Sequence, residues 1–138
     1  MLKYQLLHPE ILHALAANGH GSRVLIADGN FPVSTQPPAG CKKIFLNLAP
    51  GLLTVPEVLK VITTAIPVES AIIMTPPDGV QQLIHAEFRE ILSEKISIQS
   101  LTRFDFYTAA GSPDVCLAIA TGETRRFANI LLTIGVVL

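Results

Sequence analysis

Apolar positions along this chain alternate between two spacings. From Pro9 to Asn18, Ile11, Leu12, Leu15 and Ala16 fall on one face at helical spacing, with Pro9 in the tolerated first turn and Asn18-Gly19 as a stop. Val24 to Ala27 is a continuous apolar run, the pattern of a strand buried on both faces, and Asp28-Gly29-Asn30 ends it. After a loop from Pro32 to Gly40, Ile44 to Leu48 predicts a second strand. Thr54-x-x-Glu57 then gives a capping-box start to a helix reaching the neighbourhood of Ala65, with Pro56 in its first turn. Ala71 to Met74 predicts a third buried strand, and the stripe Leu83, Ile84, Phe88, Ile91, Leu92 a helix ending near Lys95. Ile96 to Leu101 is a further strand. Thr102 with Asp105 caps a helix that carries Arg103 in its first turn and stops at Gly111-Ser112-Pro113. Val115 to Ala120 and Ala128 to Thr133 are the last strands. The alternation implies an α/β chain, one layered domain over residues 1–138 with a mainly parallel or mixed sheet flanked by helices, finished by an antiparallel C-terminal pair.

Composition narrows the partners. The 138 residues are 49% hydrophobic and only 15% charged, rich in apolar side chains for a small monomer, which predicts that another subunit covers part of the surface. Net charge is -1 and Arg125-Arg126 is an isolated basic pair, so no nucleic-acid or anionic-membrane footprint is present. No run reaches the ~18 apolar residues that a membrane helix requires, and Met1-Leu2-Lys3-Tyr4 lacks the regions of a signal peptide, so a soluble cytoplasmic protein is expected. Cys41 and Cys116 stand alone and are expected as reduced thiols. His8, His13 and His85 are too scattered for a metal site.

Candidate chemistry concentrates where the first helix hands over to the first strand. His20 sits in the turn Gly19-His20-Gly21 and Asp28 ends the strand that follows, a residue able to carry protons near neutral pH and a carboxylate able to orient it or to bind hydroxyls. Taken alone, Asp28 could be a turn former, Arg103 a solvated first-turn residue and Tyr107 a packing residue. A GxGxxG following a strand and a GxSxG elbow are both absent, which argues against dinucleotide binding and a serine hydrolase.

Gly19-His20-Gly21 with Asp28 eight residues on, followed by Asn30-Phe31-Pro32, resembles the signature of the D-ribose pyranase and L-fucose mutarotase family. Arg103-Phe104-Asp105-Phe106-Tyr107 is similar to that family's Arg-Phe-x-Phe-Tyr, and Thr121-Gly122-Glu123 with Phe127-Ala128-Asn129-Ile130-Leu131-Leu132 to its closing segment. The match spans nearly the whole chain in order, nearer the fucose branch through Arg103. It implies an isomerase that interconverts aldose anomers or ring forms without a cofactor, with His20 as the acid-base residue. Asp28, Arg103 and Asn129 would bind sugar hydroxyls, and Asn30 and Tyr107 would shape the pocket. It also implies a ring-shaped homo-oligomer, commonly a decamer, with sites at subunit contacts and the segment around Phe127 and Asn129 contributed by a neighbour. A non-catalytic sugar-binding module on the same scaffold is the alternative.

The chain departs from the family pattern twice. Ser22 stands where an acid usually follows the histidine turn, and Phe127 replaces a tyrosine, losing a hydroxyl while keeping an aromatic face. Geometry adds a constraint: eight extended residues at ~3.3 Å each would put His20 and Asp28 up to ~26 Å apart. Unless the turn curls back, the two must serve different faces or different subunits.

Overall fold

A computed structural model describes residues 1–138. Its elements are α1 (Pro9–Ala17), β1 (Arg23–Ala27), β2 (Lys42–Phe45), α2 (Val55–Ile62), β3 (Val68–Met74), α3 (Leu83–Ile91), β4 (Ser97–Leu101), α4 (Arg103–Ala110), β5 (Val115–Ala120) and β6 (Ile130–Ile134). The expected alternation is present, and the local signals act as read. Thr54 and Glu57 form the reciprocal capping box of α2, and the Thr102 hydroxyl accepts from the Asp105 amide to start α4. One cap was not foreseen: His8 Nδ1 accepts from the Ile11 amide at the start of α1.

The six strands form one sheet in the order β2-β5-β1-β6-β3-β4. β5 lies parallel between β1 and β2, and β4 pairs parallel with β3. The expected antiparallel C-terminal pair is not formed. β6 is antiparallel, but it enters the middle of the sheet between β1 and β3 instead of folding back on β5. The intervening segment is diverted by its own contacts: the Thr121 hydroxyl donates to the Ala27 carbonyl and the Gly122 amide to the Leu53 carbonyl. A Cβ at Gly122 would lie 2.3 Å from the Leu52 carbonyl oxygen, so only glycine allows the chain to pass that close.

Alternation along the central strands divides the core. Val24 and Ile26 join Leu117, Ile119, Ile130 and Leu132 beneath α1, α2 and α3. Leu25 and Ala27 face the other way with Ala118, Leu131 and Ile72, packing on Phe106 and Ala110 of α4 and on Phe31 and Val33 of the long loop after β1. Both faces of the sheet are therefore covered, which explains the unbroken apolar runs of β1 and β5. No helix is long and apolar enough to cross a membrane. No group of three or more His, Cys, Asp or Glu side chains is placed to hold a metal ion.

Candidate functional site

A cavity of about 360 Å³ opens outside the carboxyl ends of β1, β3 and β4, lined by Asp28, Asn30, Phe31, Met74, Arg103, Tyr107, Arg126, Phe127 and Asn129. Ligands in open α/β sheets bind at this end, because the strands stop there and the loops can diverge. The volume suits a small ligand. Six of the seven residues singled out from the sequence meet in it, drawn from three segments far apart in the chain.

The sheet register brings them together. β6 runs antiparallel beside β1 with Ile26 opposite Ile130, so the residue just before β6 abuts the residue just after β1. Those are Asn129 and Asp28, and they clamp each other: the Asp28 amide donates to Asn129 Oδ1 at 2.8 Å, and Asn129 Nδ2 donates to Asp28 Oδ2 at 3.1 Å. Asp28 Oδ1 also accepts from the amides of Asn30 and Phe31, both at 3.0 Å. Asp28 and Asn129 are 4% and 3% exposed. Burial pushes the Asp28 carboxyl above the usual carboxylate range, against the opposing pull of these donors. The carboxylate is thus a fixed acceptor with little spare capacity, suited to orienting a hydroxyl.

α4 supplies the opposite wall. Arg103 and Tyr107 lie one turn apart on it, the guanidinium 5.6 Å from the Tyr107 ring centroid and 5.7 Å from that of Phe104. Tyr107 meets Phe31 edge to face with centroids 5.0 Å apart, which fixes both rings. Phe127 closes the cavity in an unusual backbone state, with φ 57°, the left-handed region that a bulky side chain rarely adopts. Buried His85 of α3 holds it there. Its Nε2 lies 3.0 Å from the Phe127 carbonyl, and because a carbonyl can only accept, Nε2 carries the proton. Burial holds the His85 pKa below its ordinary value, with the Arg89 charge acting in the same direction and the Phe127 bond against it. The rest of this loop is anchored by buried Glu123, which accepts from Arg125 and from the Val55 amide at the start of α2. Burial alone would raise the Glu123 pKa, but the bonds from Arg125 outweigh it and leave the carboxyl below its ordinary value.

His20 is absent from this assembly. It precedes β1, at the opposite end of the sheet, separated from Asp28 by five strand residues, roughly 16 Å of extended chain. Its turn is pinned by the Gly21 amide to the Ile134 carbonyl, with Gly21 at φ 85°, and its Nε2 donates to Glu69 Oε1 at 3.2 Å. Glu69 of β3 thereby provides the carboxylate that Ser22 does not. A second difference concerns the closing segment: Asn129, which the resemblance assigns to a neighbouring subunit, is bound to Asp28 of its own chain, and it is His20 that stands apart. Sequence reasoning passed over Met74, Arg126 and the support from His85 and Glu123. Met74 ends β3 and Arg126 adjoins Phe127, so their positions were readable only once the strand order was known.

The same arrangement of strands recurs in proteins of known structure. Bacillus subtilis RbsD complexed with D-ribose superposes with a TM-score of 0.86 at 29% identity over the whole of both chains. The fucose mutarotase of Streptococcus pneumoniae in complex with L-fucose gives 0.84 at 27% identity, again over the whole of both. In sequence, the human fucose mutarotase is 34% identical over 95% of this chain and 90% of its own length. The D-ribose pyranase of Variovorax paradoxus is 33% identical over 99% of this chain and 98% of its own length. The profile of the RbsD / FucU transport protein family matches residues 1–137. With the sheet order, the cavity-lining motifs and the relatives in agreement along the whole chain, this protein belongs to the RbsD / FucU family.

Proposed function

We propose that this protein is a cofactor-free aldose mutarotase or pyranase, acting on a fucose-like or related monosaccharide. The observation that carries the reading is the convergence of Asp28, Asn30, Arg103, Tyr107, Phe127 and Asn129 on one small cavity. Ring opening needs the anomeric hydroxyl to lose its proton while its electrons form the carbonyl, the bond from C1 to the ring oxygen to break, and that oxygen to gain a proton. Rotation about the C1–C2 bond and the reverse steps give the other anomer. Well-placed general acid-base groups contribute ~10²- to 10⁴-fold to such steps. Here Asp28 and Asn129 orient sugar hydroxyls, Arg103 donates to others, and the ring of Phe127 packs against the sugar.

His20 serves as the proton carrier from a neighbouring copy of the chain. Its distance from its own cavity supports that role, as does the apolar surface left on a single chain, including Phe45, Leu48, Leu52 and Leu53 around the loop before α2. The active form in this reading is a homo-oligomeric ring in the cytoplasm, with each site shared between copies. The competing reading is a sugar-binding module without turnover, favoured by the missing phenolic hydroxyl at Phe127. Magnetisation-exchange NMR on L-fucose, D-ribose and D-galactose separates them: faster exchange between anomers or ring forms supports the enzyme. Saturable binding with no acceleration at high protein concentration supports the module. Light scattering that returns a 15 kDa particle at micromolar concentration would remove the shared site.

A further inference from the structure

Of the charged side chains lining the cavity, the two cations have no ionic or hydrogen-bonding partner. Arg103 and Arg126 are exposed, and neither takes part in a salt bridge or a side-chain hydrogen bond. Arg103 rests only against aromatic rings. The contrast with Arg125, one residue before Arg126, is direct: Arg125 binds Glu123 through Nε and Nη2 and Glu87 through Nη1. The loop therefore matches one arginine to the scaffold and leaves the next at the cavity.

The lining holds one carboxylate, Asp28, which is already occupied by two backbone amides and by Asn129. Asn129 spends its own oxygen on the Asp28 amide. The Asn30 side-chain amide and the Tyr107 hydroxyl are free to meet sugar hydroxyls, and the charged donor capacity lies on two guanidinium groups, each a planar fork that fits carboxylate or phosphate oxygens. Both guanidinium groups line this one cavity, so an anion bound there can be met by both.

Building on the mutarotase reading, we propose that the sugar bound here carries an anionic substituent, a carboxylate or a phosphate, recognised by Arg103 and Arg126. Binding of such a sugar places its hydroxyls toward Asp28 and Asn129 and its anion toward the two arginines. The specificity is set by Arg126 as much as by the motif residue Arg103.

Matched sugars test this. Exchange NMR and calorimetry on the intact protein compare D-galacturonate with D-galactose and D-glucose 6-phosphate with D-glucose, so that the carboxylate and phosphate arms are read separately. The expected result is a preference of about tenfold or more for one anionic member, the factor that about 1.4 kcal/mol of differential binding gives. Added salt should narrow it, and R126Q should cost the anionic sugar more than its neutral sibling. Equal or better turnover of the neutral sugars overturns the anionic proposal and leaves the mutarotase reading standing. Preferential binding of an anionic sugar without any acceleration keeps the proposal and removes the reaction. Failure of every sugar to bind or to exchange overturns both.

Discussion

At one end of β1, Asp28 is buried, bound by two backbone amides and a side-chain amide, and set in a wall of residues that the core itself positions. At the other end, His20 is more than half exposed and held by one contact to Glu69, itself equally exposed. Both residues belong to the motif that singled out this region, yet only one is built into the fold. The difference teaches where each part of the work is done. In the proposed function, recognition of a sugar is prepared within a single chain, by the register of β1 against β6, and His20 is the proton carrier presented outward to a second copy.

The largest expected effect breaks this comparison at its exposed end. His20→Ala should lower mutarotation by ~10²- to 10⁴-fold while leaving the thermal midpoint almost unchanged, because an exposed pair is worth at most about 1 kcal/mol. Co-refolding that variant with Asp28→Asn gives the sharper result. If one copy's His20 serves another copy's cavity, roughly a quarter of the sites in a one-to-one mixture regain both groups, as expected for random assembly of a repeated interface. Activity that stays at the level of the two variants alone would put both residues to work within one chain.

Asp28→Ala tests the buried end and should act on stability as well. The amides of Asn30 and Phe31 and the Asn129 side chain lose their acceptor, so a cost on the order of 3 kcal/mol is expected in chemical denaturation. Asp28→Asn, which keeps one oxygen, should recover much of it. An Asp28→Ala protein as stable as the parent would mean that these bonds are not maintained in solution.

His85→Leu removes the donor that holds the Phe127 carbonyl, with an expected stability loss of about 1 to 3 kcal/mol and weaker sugar binding. His85→Gln, which can donate from its amide, should restore binding. The histidine also predicts a pH dependence. Its folded pKa lies below its ordinary value, so as pH falls the unfolded chain takes up the proton first. Its contribution is complete above about pH 6.5 and is lost as pH drops through the folded value. Denaturation curves at successive pH values should show this slope in the parent and a flatter one in His85→Gln.

The smallest effect concerns the missing hydroxyl. Phe127→Tyr should change sugar affinity by about threefold to tenfold, the worth of one hydrogen bond of ~0.5 to 1.5 kcal/mol. A gain would show that the hydroxyl finds a partner on the sugar, and a loss would show a pocket fitted to phenylalanine. No change with fucose, ribose or galactose would take Phe127 out of contact with the ligand.

Much of this was readable because local rules decided it. The Thr54 and Thr102 caps and the apolar runs of β1 and β5 act as their residues dictate, since each depends on neighbours within a few positions. Strand rise set the limit on how far apart His20 and Asp28 can lie, and the structure, with His20 before β1 and Asp28 after it, shows that the turn does not curl back. What the sequence hid was pairing. Ile130-Leu131-Leu132 announces a strand buried on both faces but names no neighbour, so β6 was placed beside β5 when its partners are β1 and β3. The same gap concealed the Asp28–Asn129 clamp, which follows from that register. His85 looked like an isolated histidine because the carbonyl it serves lies in a loop 42 positions away.

The place of β6 also has a meaning in time. β2, β5 and β1 form one group of strands and β3 and β4 another, and no ladder joins the groups except through β6. In chain order the five other strands all precede the one that unites them, so until β6 pairs, both groups carry an unpaired edge. Such edges are open to pairing with other chains, and contacts between residues as distant as Val24 and Leu132 form slowly. β6 is the keystone of the sheet, and its pairing completes the Asp28 clamp in the same event.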